Sequence, residues 1–220
     1  MNLFIDRMKE INLHGITNLE PVRGGTDSWY WSTDYIHGDL YEAEVLFCDG
    51  HKIECNMLYL LQYPEGKIYE PIPKVTGQYI GYPIYDHGDI MLPVVHFVDE
   101  VIRILRFSPQ RRKTEEIAQI PLSGVKDCYN LMLHISPLML GRQSNDNYFE
   151  IIWPERLCFS IEARETFNFR DGDKLYFTVW HEEPNYWDET IVRSLHDGSI
   201  LDRYPGDIHI MPNGDKWLIR

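Results

Sequence analysis

Apolar and polar residues follow one another along this chain in short alternating runs rather than at the three-to-four spacing of a helix. The clearest come in pairs: "KIECNMLYLLQY" then "KIYEPI", "VIRILRF" then "EEIAQIPL", "YFEIIW" then "LCFSIEA", and "ETIVRSL" then "SILDRY". These runs are rich in Ile, Val, Phe, Tyr and Thr and are bounded by Gly, Pro, Asp and Ser, which is the pattern of β-strands. Only "VDEVIRILRF" and "RRKTEEIAQ" can be turned into amphipathic helices, and both are short and flanked by proline or turn residues. The pattern therefore predicts an all-β chain with little helix.

Ahead of most pairs stands a Gly-Asp turn. "YIHGDLYEA" (35–43), "YDHGDIMLP" (85–93), "FRDGDKLYF" (169–177) and "MPNGDKWLI" (211–219) share it, with glycines at Gly38, Gly88, Gly172 and Gly214. The long middle gap has room for one more, and "YNLMLHISPLML" (129–140) supplies two strand-like runs split at Ser136. His-Gly, Asp-Gly and Asn-Gly provide the positive backbone dihedrals of a tight hairpin, so each turn is expected to join two antiparallel strands. A hairpin plus a second pair makes four strands, and five such units of about 44 residues fill the 220 residues. A four-stranded unit with a period of 40 to 50 residues is the signature of a β-propeller blade.

The last turn is followed by a single strand, so the fifth unit has only "DIHIMP" and "KWLIR". The amino-terminal runs "NLFIDRM" (2–8) and "EINLHGI" (10–16) are expected to complete it, pairing the two ends of the chain and removing exposed strand edges. Blade one then starts at Trp29. The turns "MPNGDKWLI" and "FRDGDKLYF" resemble those joining the two innermost strands of a blade in the β-propeller superfold. The expected fold is a five-bladed β-propeller, one domain over residues 1–220, with its last blade closed by amino- and carboxy-terminal strands.

That resemblance also selects loops. In propellers, blade-to-blade connections and those between second and third strands gather on one face around the central channel. Here they are 22–29, 73–79, 122–129, 163–166 and 204–207, together with 48–51, 98–100, 141–147 and 181–187. They carry Arg23, Trp29, Tyr79, Tyr129, Arg142, His181 and Trp187, which are expected to line a site for a small ligand, a carbohydrate among the candidates, or for a protein partner. Flat aromatic faces with a polar edge suit stacking on sugars, although aromatic residues such as Tyr30 and Trp31 equally suit the seams between blades. Asp27, Asp127, Glu165 and Asp207 stand near the starts of innermost strands. Convergent carboxylates of this kind are what a glycosidase uses, so the alternative is a small hydrolase with Asp27, Asp127 and Glu165 as catalytic groups.

Composition narrows the field. With 34 acidic and 21 basic residues the formal net charge is −13, which opposes binding to nucleic acid or to an anionic membrane. The cysteines Cys48, Cys55, Cys128 and Cys158 form no close-set zinc pattern, and His37 and His87 in the repeated turns are explained by turn chemistry, so neither metal nor cofactor is expected. No apolar run is long enough to span a membrane, and "MNLFIDRMKE" is not a secretory leader, so a cytoplasmic location is expected. Nucleophile, P-loop and dinucleotide motifs are all absent.

Overall fold

The computed structural model describes residues 8–24, 27–34, 36–51, 56–211 and 213–220. Within them the chain is all-β, built as five antiparallel sheets that follow one another in sequence. The first sheet has the order β1 (Glu20–Pro21), β2 (Trp29–Thr33), β3 (Leu58–Gln62) and β4 (Lys67–Tyr69). In the second, β5 (Gln78–Ile80) and β6 (Ile84–Asp86) both pair with β7 (Asp89–His96), followed by β8 (Val101–Ser108) and β9 (Lys113–Pro121). The third runs β10 (Met132–His134), β11 (Met139–Gln143), β12 (Tyr148–Trp153) and β13 (Leu157–Ser160). The fourth runs β14 (Glu165–Asp171), β15 (Lys174–His181), β16 (Trp187–Ser194) and β17 (Ile200–Pro205), and a hairpin of β18 (Asp207–Ile210) and β19 (Lys216–Ile219) ends the chain.

Three of the Gly-Asp turns join hairpins as expected. Gly88, Gly172 and Gly214 have φ of 96°, 56° and 87° between β6 and β7, β14 and β15, and β18 and β19. The glycine-free turn between β10 and β11 bends at Ser136, φ 67°. The two ambiguous runs, 98–107 and 111–119, form β8 and β9 rather than helices.

The fourth Gly-Asp turn does something else. Ile36, His37 and Gly38 all have positive φ (64°, 46° and 83°), and a helix α1 (Leu40–Cys48) follows. Asp39 caps it, Oδ1 accepting from the amides of Tyr41 at 2.9 Å and Glu42 at 3.1 Å. These bonds satisfy two of the orphan donors of the first turn and favour helix over hairpin. Gly38 is also needed for space, because a Cβ there would lie 3.1 Å from the Trp31 ring and 3.2 Å from that of Tyr82. Two expectations change in consequence. The first strand of the first sheet is β1, not the run at Trp29, and the segment 22–28 connects two strands of one sheet instead of two sheets.

The core lies between the sheets. Trp29, Trp31 and Leu60 of the first pack against Ile90, Leu92 and Phe107 of the second. The opposite face of the second, with Met91, Val95 and Ile104, packs on Leu133, Leu140 and Ile152 of the third and on Leu40 and Ala43 of α1. Phe149 and Ile151 of the third meet Leu175, Phe177 and Ile191 of the fourth, whose other face presents Tyr176 and Val192 to Ile208 and Leu218 of the hairpin. Residue-by-residue alternation along each strand is what gives every sheet two apolar faces, and each fully buried Leu, Ile or Phe contributes about 1.5–3 kcal/mol.

At the beginning of the described chain, Ile11, Leu13 and Ile16 form no strand; they cover Tyr59 and Leu61 on the face of the first sheet turned away from the second. The run "EINLHGI" thus contributes packing rather than pairing, and most of "NLFIDRM" lies outside the described residues. Among the described residues no core cluster joins the terminal hairpin to the first sheet.

Candidate ligand-binding site

An exposed aromatic cluster sits where the fourth sheet meets the terminal hairpin. The β15–β16 connection ends in Tyr186 and Trp187, whose relative exposures are 68% and 40%. Cross-strand register sets Trp187 opposite His181 and Asp188 opposite Trp180. The Trp187 and His181 rings stack with centroids 4.1 Å apart and planes 12° from parallel, and the Arg164 guanidinium lies 4.4 Å over Trp180. Large flat rings so anchored keep an apolar surface in solvent without moving freely.

Two clefts open from this cluster. One, of about 430 Å³, is lined by Tyr186, Trp187, Asp188, Asp207, His209 and Arg220. The other, of about 350 Å³, runs inward along β14 past Thr166, Asn168, Thr178 and Trp180. Tyr186, Asp188 and Asp207 line both, so the two form one groove. Its polar side is held in place: Thr178 donates to Asp207 Oδ1 at 2.7 Å, His209 Nε2 lies 3.0 Å from Asp207 Oδ2, and Asn168 donates to the Ile208 carbonyl at 3.2 Å. The Asp188 charge beside Tyr186, aided by partial desolvation, pushes its phenol above the ordinary tyrosine range. The groove therefore presents aromatic faces, two carboxylate acceptors and a neutral phenol.

Of the ligand-lining residues expected from sequence, Trp187 and His181 belong to this cluster. Trp29 and Tyr79 are buried, Trp29 against Tyr69 and Tyr79 edge-on to Phe97. Tyr129 packs edge-on against Tyr41 of α1. Arg142 is enclosed, donating to Asp127 Oδ1 at 2.9 Å and to Glu150 Oε1 at 2.5 Å. Arg23 is exposed on the β1–β2 connection, bridged through its backbone to Ile84 of β6 in the second sheet.

The expected carboxylates do not converge as a set. Glu165 is buried in a bidentate pair with Arg193, at 2.6 and 2.8 Å, and Asp127 is held by Arg142. Asp27 is exposed on the β1–β2 connection. Asp207, which sequence reasoning placed with these three, is the one that opens into the groove. Asp188, Trp180, Asn168 and Thr178 were not foreseen. Their signal was register: once β15 and β16 are paired through the 182–186 connection, alternation sends Trp180 and Thr178 to the hairpin side. Among the described residues no three His, Cys, Asp or Glu side chains cluster in a way that could hold a metal ion, and no helix is long and apolar enough to cross a membrane.

No protein-family model matches the chain, and no curated protein matches it in sequence.

Proposed function

We propose that this chain is a five-bladed β-propeller that binds carbohydrate in the groove between its fourth blade and its terminal hairpin. Four successive antiparallel sheets, three of four strands and one of five, each packed face to face on the next, support the propeller, as does a terminal hairpin that corresponds to two strands of a fifth. Ile11, Leu13 and Ile16 cover the far side of the first sheet, where a fifth blade has to stand in a closed ring. In this reading the fifth blade is completed by the amino-terminal run 2–8, most of which lies outside the described residues.

The observation that carries the binding function is the exposed Tyr186–Trp187 pair in the same groove as Asp188 and Asp207. Sugar rings offer C–H faces that stack on aromatic rings and hydroxyls that donate to carboxylates, and this groove offers both partners. A thermal-shift screen of the purified protein against mono- and oligosaccharides tests it. A sugar class that raises the melting temperature of the native protein and not of the W187A variant supports the reading. If no sugar shifts the native protein, carbohydrate binding is wrong.

A hydrolytic version of the same site is favoured by one feature, the pair of carboxylates Asp188 and Asp207 on one groove. It replaces Asp27, Asp127 and Glu165 as the catalytic candidates. Release of reducing ends from a bound oligosaccharide, abolished in D207N, distinguishes hydrolysis from binding alone.

A further inference from the structure

A second, smaller pocket lies on the other side of β14, between the third and fourth sheets. It measures about 200 Å³ and is lined by Asn130, Met132, His134, Gln143, Phe149, Thr166 and Phe167, sharing only Thr166 and Phe167 with the groove. One of its polar side chains is already committed within the fold. Gln143 donates to the Glu165 carbonyl at 2.5 Å and accepts from the Phe167 amide at 2.9 Å, which staples β11 to β14.

His134 is different. Its ring is edge-on to Phe167 with centroids 4.8 Å apart, and among the described residues neither ring nitrogen has a hydrogen-bond partner. Burial and the nearby Arg23 charge lower its pKa to about 4, so at neutral pH it offers one donor and one acceptor. Arg23 comes to this place from the β1–β2 connection. Its guanidinium lies 4.7 Å from the centre of the Tyr82 ring, and Nη1 is 3.7 Å from Met132 Sδ, on the pocket wall. Among the described residues no carboxylate pairs with it, in a chain where acidic residues outnumber basic ones by 34 to 21.

An exposed cation with no paired carboxylate among the described residues reaches, through Met132, the wall of a small cavity that holds an imidazole without a partner, a combination that a ligand would complete. We propose that this pocket binds a small hydroxycarboxylate, its carboxylate on Arg23 and its hydroxyl on His134. The guanidinium fork matches a carboxylate in two parallel bonds, and a neutral imidazole suits a hydroxyl, which both donates and accepts. Size agrees as well: with about 30 Å³ per water-sized group, the cavity has room for roughly six or seven non-hydrogen atoms. Lactate and glycerate, with six and seven, fall in this range. The proposal goes beyond carbohydrate binding and does not depend on it.

Titration calorimetry of the full chain with lactate, propionate and inorganic phosphate tests the site. Lactate is expected to bind and propionate, lacking the hydroxyl, about tenfold more weakly. The R23Q variant should lose binding, and R23K, which keeps the charge but not the fork, should bind about tenfold more weakly than native. Melting temperatures of both variants within about 2 °C of native show that the fold is intact, since Arg23 makes no ion pair that its loss would break. Equal affinity for lactate and propionate, tighter binding of phosphate than of lactate, unchanged affinity in R23Q, or no binding of lactate each overturns the assignment. The W187A variant, measured alongside, separates the two sites: it should lose sugar and keep lactate.

Discussion

Arg142 and Asp127 neutralise one another. The guanidinium Nη2 stands 2.8 Å from Asp127 Oδ1, its Nε donates to the same oxygen and to the Asp127 carbonyl, and Nη1 completes the set on Glu150. One was expected to line a ligand site and the other to act as a catalytic carboxylate. Instead they tie the 122–131 connection to β11 and β12. A side chain as enclosed as that of Arg142 keeps its charge in the fold only because two carboxylates and a carbonyl replace its lost water.

Replacing Arg142 by methionine keeps much of its length and leaves Asp127 and Glu150 facing each other without the intervening cation. Removal of one member of a buried ion cluster costs about 3–5 kcal/mol. Urea denaturation of R142M is expected to show a loss of this size, while sugar and lactate affinities of the remaining folded protein stay at native values. A stability near native with altered affinity would instead return Arg142 to a ligand-binding role.

His134 makes stability depend on pH in a defined window. Its folded pKa is depressed to about 4 from an ordinary 6.5, chiefly by burial and then by the Arg23 charge. Above 6.5 neither state carries the proton, and the neutral imidazole opposes nothing. As pH falls below 6.5 the unfolded chain takes up a proton that the folded one refuses, so stability drops until about pH 4, where the folded state also titrates. The total for this one group is about 3 kcal/mol. Comparing native protein with H134Q between pH 7 and pH 4 isolates the effect from the carboxylates, and the native curve should fall more steeply.

Strands were legible because their apolar runs are short, rich in β-branched and aromatic residues and bounded by turn residues, as in 101–107 and 189–194, which lie in β8 and β16. The helix was not, because Gly38-Asp39 reads as a hairpin turn when judged by resemblance to the other three. The telling residue was Glu42, three beyond Asp39 at the third helical position, followed by "AEVLFC" with its good helix formers. The groove was half legible. Trp187, His181 and Asp207 stand at or near loops that the repeat located, whereas Asn168, Thr178 and Trp180 lie within strands, where only register decides which face a side chain takes. Trp29 and Tyr79 were misjudged for the same reason: each sits where a loop becomes a strand, and pairing turns it inward.

The terminal hairpin supplies the sharpest test of the proposed ring. On its fourth-sheet side it buries Ile208 beside Leu218, but on the other side Trp217 and Ile219 are 54% and 52% exposed. An apolar face and, among the described residues, an unpaired strand edge in one place favour pairing with another strand. If residues 2–8 provide that strand, deleting residues 1–8 and deleting residues 207–220 remove the same interface from opposite ends. The two deletions should then each lower the melting temperature and combine to less than the sum of their separate effects, since the second has nothing left to break. Acrylamide should also quench Trp217 more strongly once residues 1–8 are gone, read against a W217F control. Additive losses with unchanged quenching would mean that the amino-terminal segment stabilises the first sheet alone and that the fifth blade is not completed by it.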